Sequence, residues 1–163
     1  MKILWNPWRS EYIRRFTEKT ESEECLFCRL QKLREEEALI VYKGKYTFVV
    51  MNAYPYNTGH LMIAPYRHVP DLTELEEPEL EELSNLVKKV VRVLREAFRP
   101  DGFNIGANIG RAAGAGVPDH FHVHVVPRWV GDTNFMAVIS GTKPLPVALN
   151  EAYSIIKTYW STV

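Results

Sequence analysis

The spacing of apolar positions changes several times along the chain, and each change marks an element. From Pro78 to Phe98 the residues Leu80, Leu83, Val87, Val90, Val91, Leu94 and Phe98 recur at a period near 3.6, which predicts an amphipathic helix. Pro78 suits its first turn, and Pro100-Asp101-Gly102 stops it. Leu39–Tyr42 and Tyr46–Met51 flank Lys43-Gly44-Lys45 and read as a hairpin. His60–Pro65 and Phe103–Ile109 predict two further strands, the first of them preceded by the turn-rich stretch Asn52–Gly59. Leu30 and Leu33 place a short helix between Cys28 and Glu37. Leu149, Ala152, Ile155, Ile156 and Tyr159 place a closing helix from Val147 to Trp160, within the C-terminal segment 144–163. Short strands around one long helix predict an antiparallel sheet with the helix on one face.

The last strand signal is His120-Phe121-His122-Val123-His124-Val125-Val126-Pro127-Arg128. Side chains of extended chain repeat their direction every second residue, so the three imidazoles share one face. That face is expected to meet solvent, with Phe121, Val123 and Val125 turned into the core. Three of the chain's five histidines stand here, and histidine is the side chain poised near neutral pH to be nucleophile, acid, base or ligand. The preceding loop, Gly110–Pro118, is built largely of small residues that let backbone N–H groups approach an anion.

Composition narrows the class. A chain of 163 residues suits one domain, and 46% hydrophobic with 25% charged residues is ordinary for a soluble protein. Twenty basic and twenty acidic residues cancel, which argues against long nucleic acid as a partner. No apolar run approaches the roughly 20 residues that span a bilayer, and Met1–Pro7 lacks the apolar stretch of a signal peptide. A cytoplasmic protein is expected. Residues 1–20, rich in aromatics and arginines from Trp5 to Phe16, read as an arm packed on the body or on a partner subunit. Both cysteines lie in Cys25-Leu26-Phe27-Cys28. Taken alone, this pair is a redox couple, half of a metal site, or coincidence.

The histidine run resembles the motif of the histidine triad (HIT) superfamily, His-φ-His-φ-His-φ-φ with φ apolar, at all seven positions. The resemblance implies an α+β fold, with a sheet of about five antiparallel strands and a long helix on one face. It also implies attack on the α-phosphorus of a nucleotide through a covalent nucleotidyl-histidine. Position by position, His122 is then the nucleophile, and His124 contacts the phosphoryl oxygens or the leaving group. Val50 and Asn52 match the family's nucleoside pocket, with Asn52 on the ribose hydroxyls. Asn108 resembles a phosphate-side residue of the fragile-histidine-triad branch, and Gly116 and Val117 supply backbone amides where many members carry a hydroxyl or amide side chain. His60, in Asn57-Thr58-Gly59-His60, matches the family's Pro-Gly-His except for threonine, and is expected to be buried beside the site.

Some members of the family hold zinc through Cys-x-x-Cys, a histidine at the position of His68, and the first histidine of the triad. Here the ligands would be Cys25, Cys28, His68 and His120. Two thiolates and two imidazoles make a closed, structural site. The N-terminal Trp5-x-Pro-Trp8-Arg9 and the stretch Pro127–Phe135 resemble the diadenosine-tetraphosphate phosphorylase branch. That points to cleavage of dinucleoside polyphosphates, with phosphate or water as acceptor and Arg111, Arg128 and Lys143 as candidate anion ligands. A nucleoside phosphoramidase and a nucleotide-binding regulator with little turnover are the alternatives; a zinc hydrolase using all three histidines lacks a general-base carboxylate beyond Asp119. The family also implies a homodimer, with the N-terminal arm and the segment around Trp160 as candidate contacts.

Overall fold

The computed structural model describes residues 24–134 and 143–163, so the arm from Trp5 to Phe16 lies outside the described residues. Five strands form one antiparallel sheet: β1 (Ile40–Lys43), β2 (Thr47–Met51), β3 (Leu61–Pro65), β4 (Gly102–Gly106) and β5 (Val123–Arg128). Their order is β1-β2-β3-β5-β4. The helices are α1 (Leu26–Leu30), α2 (Glu35–Ala38), α3 (Glu77–Phe98) and α4 (Leu149–Trp160). The fold is therefore α+β, with the long helix on one face of the sheet.

Both faces of the sheet are covered, unequally. On one, Val49, Met51, Leu61, Ile63, Val123 and Val125 pack against Leu83, Leu86, Val90 and Leu94 of α3 and Tyr153 and Ile156 of α4. On the other, Ile40, Phe48, Val50, Met62 and Ala64 form a smaller cluster with Phe27 of α1 and Ala38 of α2. Burial on both sides explains why β2 and β3 read as continuous apolar runs and not as alternations. The hairpin is pinned to α3 by Glu82, whose carboxylate accepts the backbone N–H groups of Lys45, Tyr46 and Thr47 at 2.7 Å each.

The structure departs from the sequence reading at several ends. The helix expected over Cys28–Glu37 is two short helices separated by a turn. β4 stops at Gly106, three residues early, because the chain leaves the ladder for the glycine-containing loop, in which Arg111–Ala113 makes one 3-10 turn. β5 begins at Val123, so His120 and His122 lie just ahead of the paired strand, although the alternation persists through them. Trp160 is part of the main core, stacked on Tyr42 with ring centres 5.2 Å apart.

Candidate active site

Cross-strand pairing fixes what surrounds the histidines. Ile40 faces Val50, Val50 faces Met62, Met62 faces His124, and His124 faces Gly106. Directly opposed residues share a face, so His122 and His124 stand on the side of the smaller cluster, opposite the large core. The expectation of a solvent-facing histidine row fails here. His120 and His122 are 1% and 5% exposed, because α1 lies over them and the Phe27 ring packs 4.7 Å from that of His122. Phe121, Val123 and Val125 do enter the large core, as the alternation requires.

Hydrogen bonds to the rings select their tautomers. His122 Nδ1 lies 2.9 Å from the His120 carbonyl oxygen; a carbonyl only accepts, so Nδ1 carries the proton and Nε2 keeps the lone pair. Burial lowers the His122 pKa, with the carbonyl contact opposing, which favours the neutral, nucleophilic ring. His120 repeats the logic in reverse. Its Nε2–H donates to the Pro65 carbonyl at 2.9 Å, which turns the Nδ1 lone pair toward the cysteines. Burial pushes its pKa down to about 4, with the Pro65 contact opposing and His68 and His122 adding to the fall.

His60 is fully buried, as expected, and its role can be read from its partners. The Tyr56 backbone N–H donates to His60 Nδ1 at 3.1 Å. His60 Nε2 must then carry hydrogen, and it donates to His124 Nδ1 at 2.9 Å. The neutral His124 ring consequently carries its proton on Nε2. Gly59 makes this turn possible: its φ is +78°, and a Cβ there would stand 3.1 Å from Leu94 and Phe98. The Tyr56 ring covers the pair, 4.5 Å from His60 and 5.9 Å from His124. Tyr56 was missed in the sequence, where its only signal is a place four residues ahead of His60 in a turn.

Cys25, Cys28, His68 and His120 come together, with their ligand atoms all within 4.8 Å of one another. Cys25 Sγ and Cys28 Sγ lie 3.4 and 3.8 Å from His120 Nδ1, and Cys28 Sγ lies 3.4 Å from His68 Nδ1. Tetrahedral zinc with its usual S and N bond lengths sets S···N edges of about 3.6 Å, so the donor set fits the ion. The Phe121 N–H on the Val69 carbonyl, 2.6 Å away, ties the His68 loop to the start of the histidine run. Burial, then Cys25, raises the Cys28 thiol to about 11.

The remaining predicted residues are placed less uniformly. Val50 is fully buried within the smaller cluster, with Met62 between it and His124 in the ladder. Asn52 is half-buried at the end of β2, where its Oδ1 accepts the Tyr54 N–H at 2.9 Å. Asn108 Nδ2 donates to the Gly114 carbonyl at 3.3 Å and braces the loop. Gly116 is exposed, while Val117 packs on the smaller cluster. Arg128 is not a free anion ligand. Its Nε and Nη2 hold both oxygens of Asp132 at 2.6 and 2.8 Å, and its Nη1 donates to Asn104 Oδ1 at 2.8 Å. That pairing, with the Trp129 N–H 3.1 Å from Asp132 Oδ2, holds the Asp132 carboxyl far below the usual carboxylate range against the effect of burial; Asn57 Nδ2 also donates to Asp132 Oδ2 at 2.8 Å.

Residues 33–130 match the family model of the HIT domain. The chain belongs to the HIT family. Within it, a protein of Mycobacterium tuberculosis named AP-4-A phosphorylase is 41% identical over 166 residues, covering 99% of this chain and 85% of the relative. A fission yeast (Schizosaccharomyces pombe) protein named bis(5'-nucleosyl)-tetraphosphatase [asymmetrical] is 38% identical over 93 residues, which are 57% of this chain and 50% of that one. The fold is similar to the crystal structure of a Zn-bound histidine triad family protein from Mycobacterium smegmatis. The TM-score is 0.69 at 25% identity, covering 85% of this chain and 94% of that one.

Proposed function

We propose that this HIT protein cleaves dinucleoside polyphosphates of the diadenosine tetraphosphate type at the α-phosphorus, with inorganic phosphate as the acceptor. The observation that carries the proposal is the pair of fixed tautomers: a lone pair on His122 Nε2 and a proton on His124 Nε2. His122 Nε2 bonds to phosphorus, the anhydride P–O bond breaks, and His124 hands its proton to the departing oxygen or stabilises its charge. With diadenosine tetraphosphate the departing group is ATP and the carried group is adenylyl. Phosphate then attacks the same phosphorus, the N–P bond breaks, and ADP leaves.

Phosphate is favoured over water by the likeness, over nearly the whole chain, to a relative named as a phosphorylase. Hydrolysis is the second reading, supported by the fission yeast relative's name; it would release AMP in place of ADP. Separating products with and without phosphate decides between them. The reading assigns the ribose to Asn52, the apolar floor of the pocket to Val50, and phosphate contacts to Asn108 and the backbone of Gly116 and Val117.

Zinc is the metal proposed for Cys25, Cys28, His68 and His120, supported by the donor geometry and by the Zn-bound relative. It would brace the N-terminal segment against the histidine run and take no part in the reaction. A homodimer is part of the same reading. The edge strand β4 supports it, because Ile105 and, just beyond it, Ile109 are 49% and 43% exposed. No helix among the described residues is long and apolar enough to cross a membrane, and action in the cytoplasm is proposed.

A further inference from the structure

Among the described residues nothing requires Gly106 to be a glycine. It is the last residue of β4, and its φ is not positive, unlike those of Gly59, Gly110, Gly114 and Gly131. A Cβ built on it meets no heavy atom within 4 Å among the described residues, so close packing does not exclude a side chain. A strand position that tolerates a Cβ gains from a larger residue, and glycine in a strand otherwise marks the close approach of a ligand or of another backbone.

The partner across the ladder says which ligand. Gly106 pairs with His124, whose other neighbour on the same face is Met62 of β3. The β3 side of His124 is filled by Met62, 6% exposed, by the buried His60 and by the covering Tyr56 ring. On the β4 side Gly106 carries no side chain, and no heavy atom of the described residues lies within 4 Å of where its Cβ would stand. Attack by His122 expels the leaving oxygen away from Nε2, and His124 stands next along the face to receive it. The chain beyond that oxygen has to pass where no side chain stands.

We propose that the space over Gly106 is the path of the leaving group, taken by the oligophosphate chain of the substrate beyond the scissile bond. The assignment rests on the reading of His122 and His124 given above, and makes Gly106 a specificity-determining position. Nucleotides ending at the α-phosphate do not reach this space, whereas diadenosine tetraphosphate crosses it.

The test is Gly106→Val in the full-length protein, with two probes. Valine suits an extended backbone, and its branched side chain fills the space. For diadenosine tetraphosphate, kcat/KM is expected to fall roughly 10- to 200-fold, the range for a misfit of one or two methyl-sized groups. The affinity for AMP, measured by calorimetry, is expected to stay within about threefold of wild type, because AMP ends at the α-phosphate. Light scattering on both proteins reports the oligomeric state. An equal loss with both probes, or a changed oligomer accompanying the loss, overturns the inference and assigns the glycine to the histidine geometry or to subunit packing. Unchanged cleavage overturns it as well. A wild-type protein that cleaves no dinucleoside polyphosphate refutes the functional reading itself, and the two failures are thereby distinguished.

Discussion

His60 offers a sharp test of how the histidines are organised, because it touches no substrate in the proposed mechanism. Its hydrogen bond to the reacting groups is Nε2–H on His124 Nδ1 at 2.9 Å. In His60→Ala, the His124 ring loses the donor that selects its tautomer and ring orientation, so at most four arrangements compete and one of them is productive. That costs about 0.8 kcal/mol in population, and the lost orienting hydrogen bond adds about 1 kcal/mol. Together they predict a fall in the chemical step of roughly 20- to 30-fold. Stability should fall as well, by about 2–4 kcal/mol, since a fully buried ring is removed and the Tyr56 N–H loses its acceptor. His60→Gln supplies both an acceptor and a donor near the original nitrogens and should recover most of the rate. The assay is a quenched-flow burst of ATP from diadenosine tetraphosphate at a temperature where each variant is folded. The p-nitrophenyl ester of AMP has a leaving group that needs no proton, and its burst should be nearly insensitive to His60. A folded His60→Ala protein with a wild-type burst, or an equal loss on both substrates, would refute the positioning role.

Four further predictions follow from the same contacts. Cys25→Ser should lower metal content and melting temperature while leaving the chemical step of the folded fraction close to wild type; zinc-free protein with both thiols titratable and an unchanged melt would contradict the metal site. Thr58→Val should leave stability unchanged or raise it by up to about 1 kcal/mol in chemical denaturation, because the buried Thr58 hydroxyl has no hydrogen-bond partner among the described residues. Hydrogen bonds from Arg67 lower the pKa of the buried Glu79, so Glu79 contributes stability above its unfolded pKa of about 4.3, and loses it as acid passes its folded value. Acid denaturation should accordingly be shallower in Glu79→Gln, and an identical pH profile would exclude that carboxylate. Asp132→Asn should lower the melting temperature measurably, since one carboxylate gathers Arg128, Asn57 and the Trp129 N–H.

What could be read from the sequence was what local periodicity determines. The long helix, the hairpin and the alternation from Phe121 to Val125 all follow from side-chain direction, and the structure has each of them. The four-residue cysteine and histidine cluster was legible only through resemblance, because the segments of Cys25, His68 and His120 are far apart along the chain. Burial of His122 was not legible. Alternation distinguishes two faces of a strand, but it does not say that Phe27 of a short helix will cover the polar one. The engagement of Arg128 was hidden for a similar reason: a turn around Gly131 brings Asp132 back onto the guanidinium, and charge counting places both groups in solvent. The His60–His124 pair depends on strand register, which no single-strand pattern carries.

The central claim is a nucleotidyl group on His122, and one measurement addresses it directly. The protein is mixed with diadenosine tetraphosphate without phosphate, quenched within the burst in alkaline denaturant, and digested for mass spectrometry. The account predicts one adenylyl group on the peptide spanning His120 to Arg128, localised to His122 and absent from His122→Ala. It also predicts that phosphate added before the quench removes the adduct and releases ADP in matching amount. Steady turnover with that peptide unmodified, or an adduct on a different residue, would contradict it.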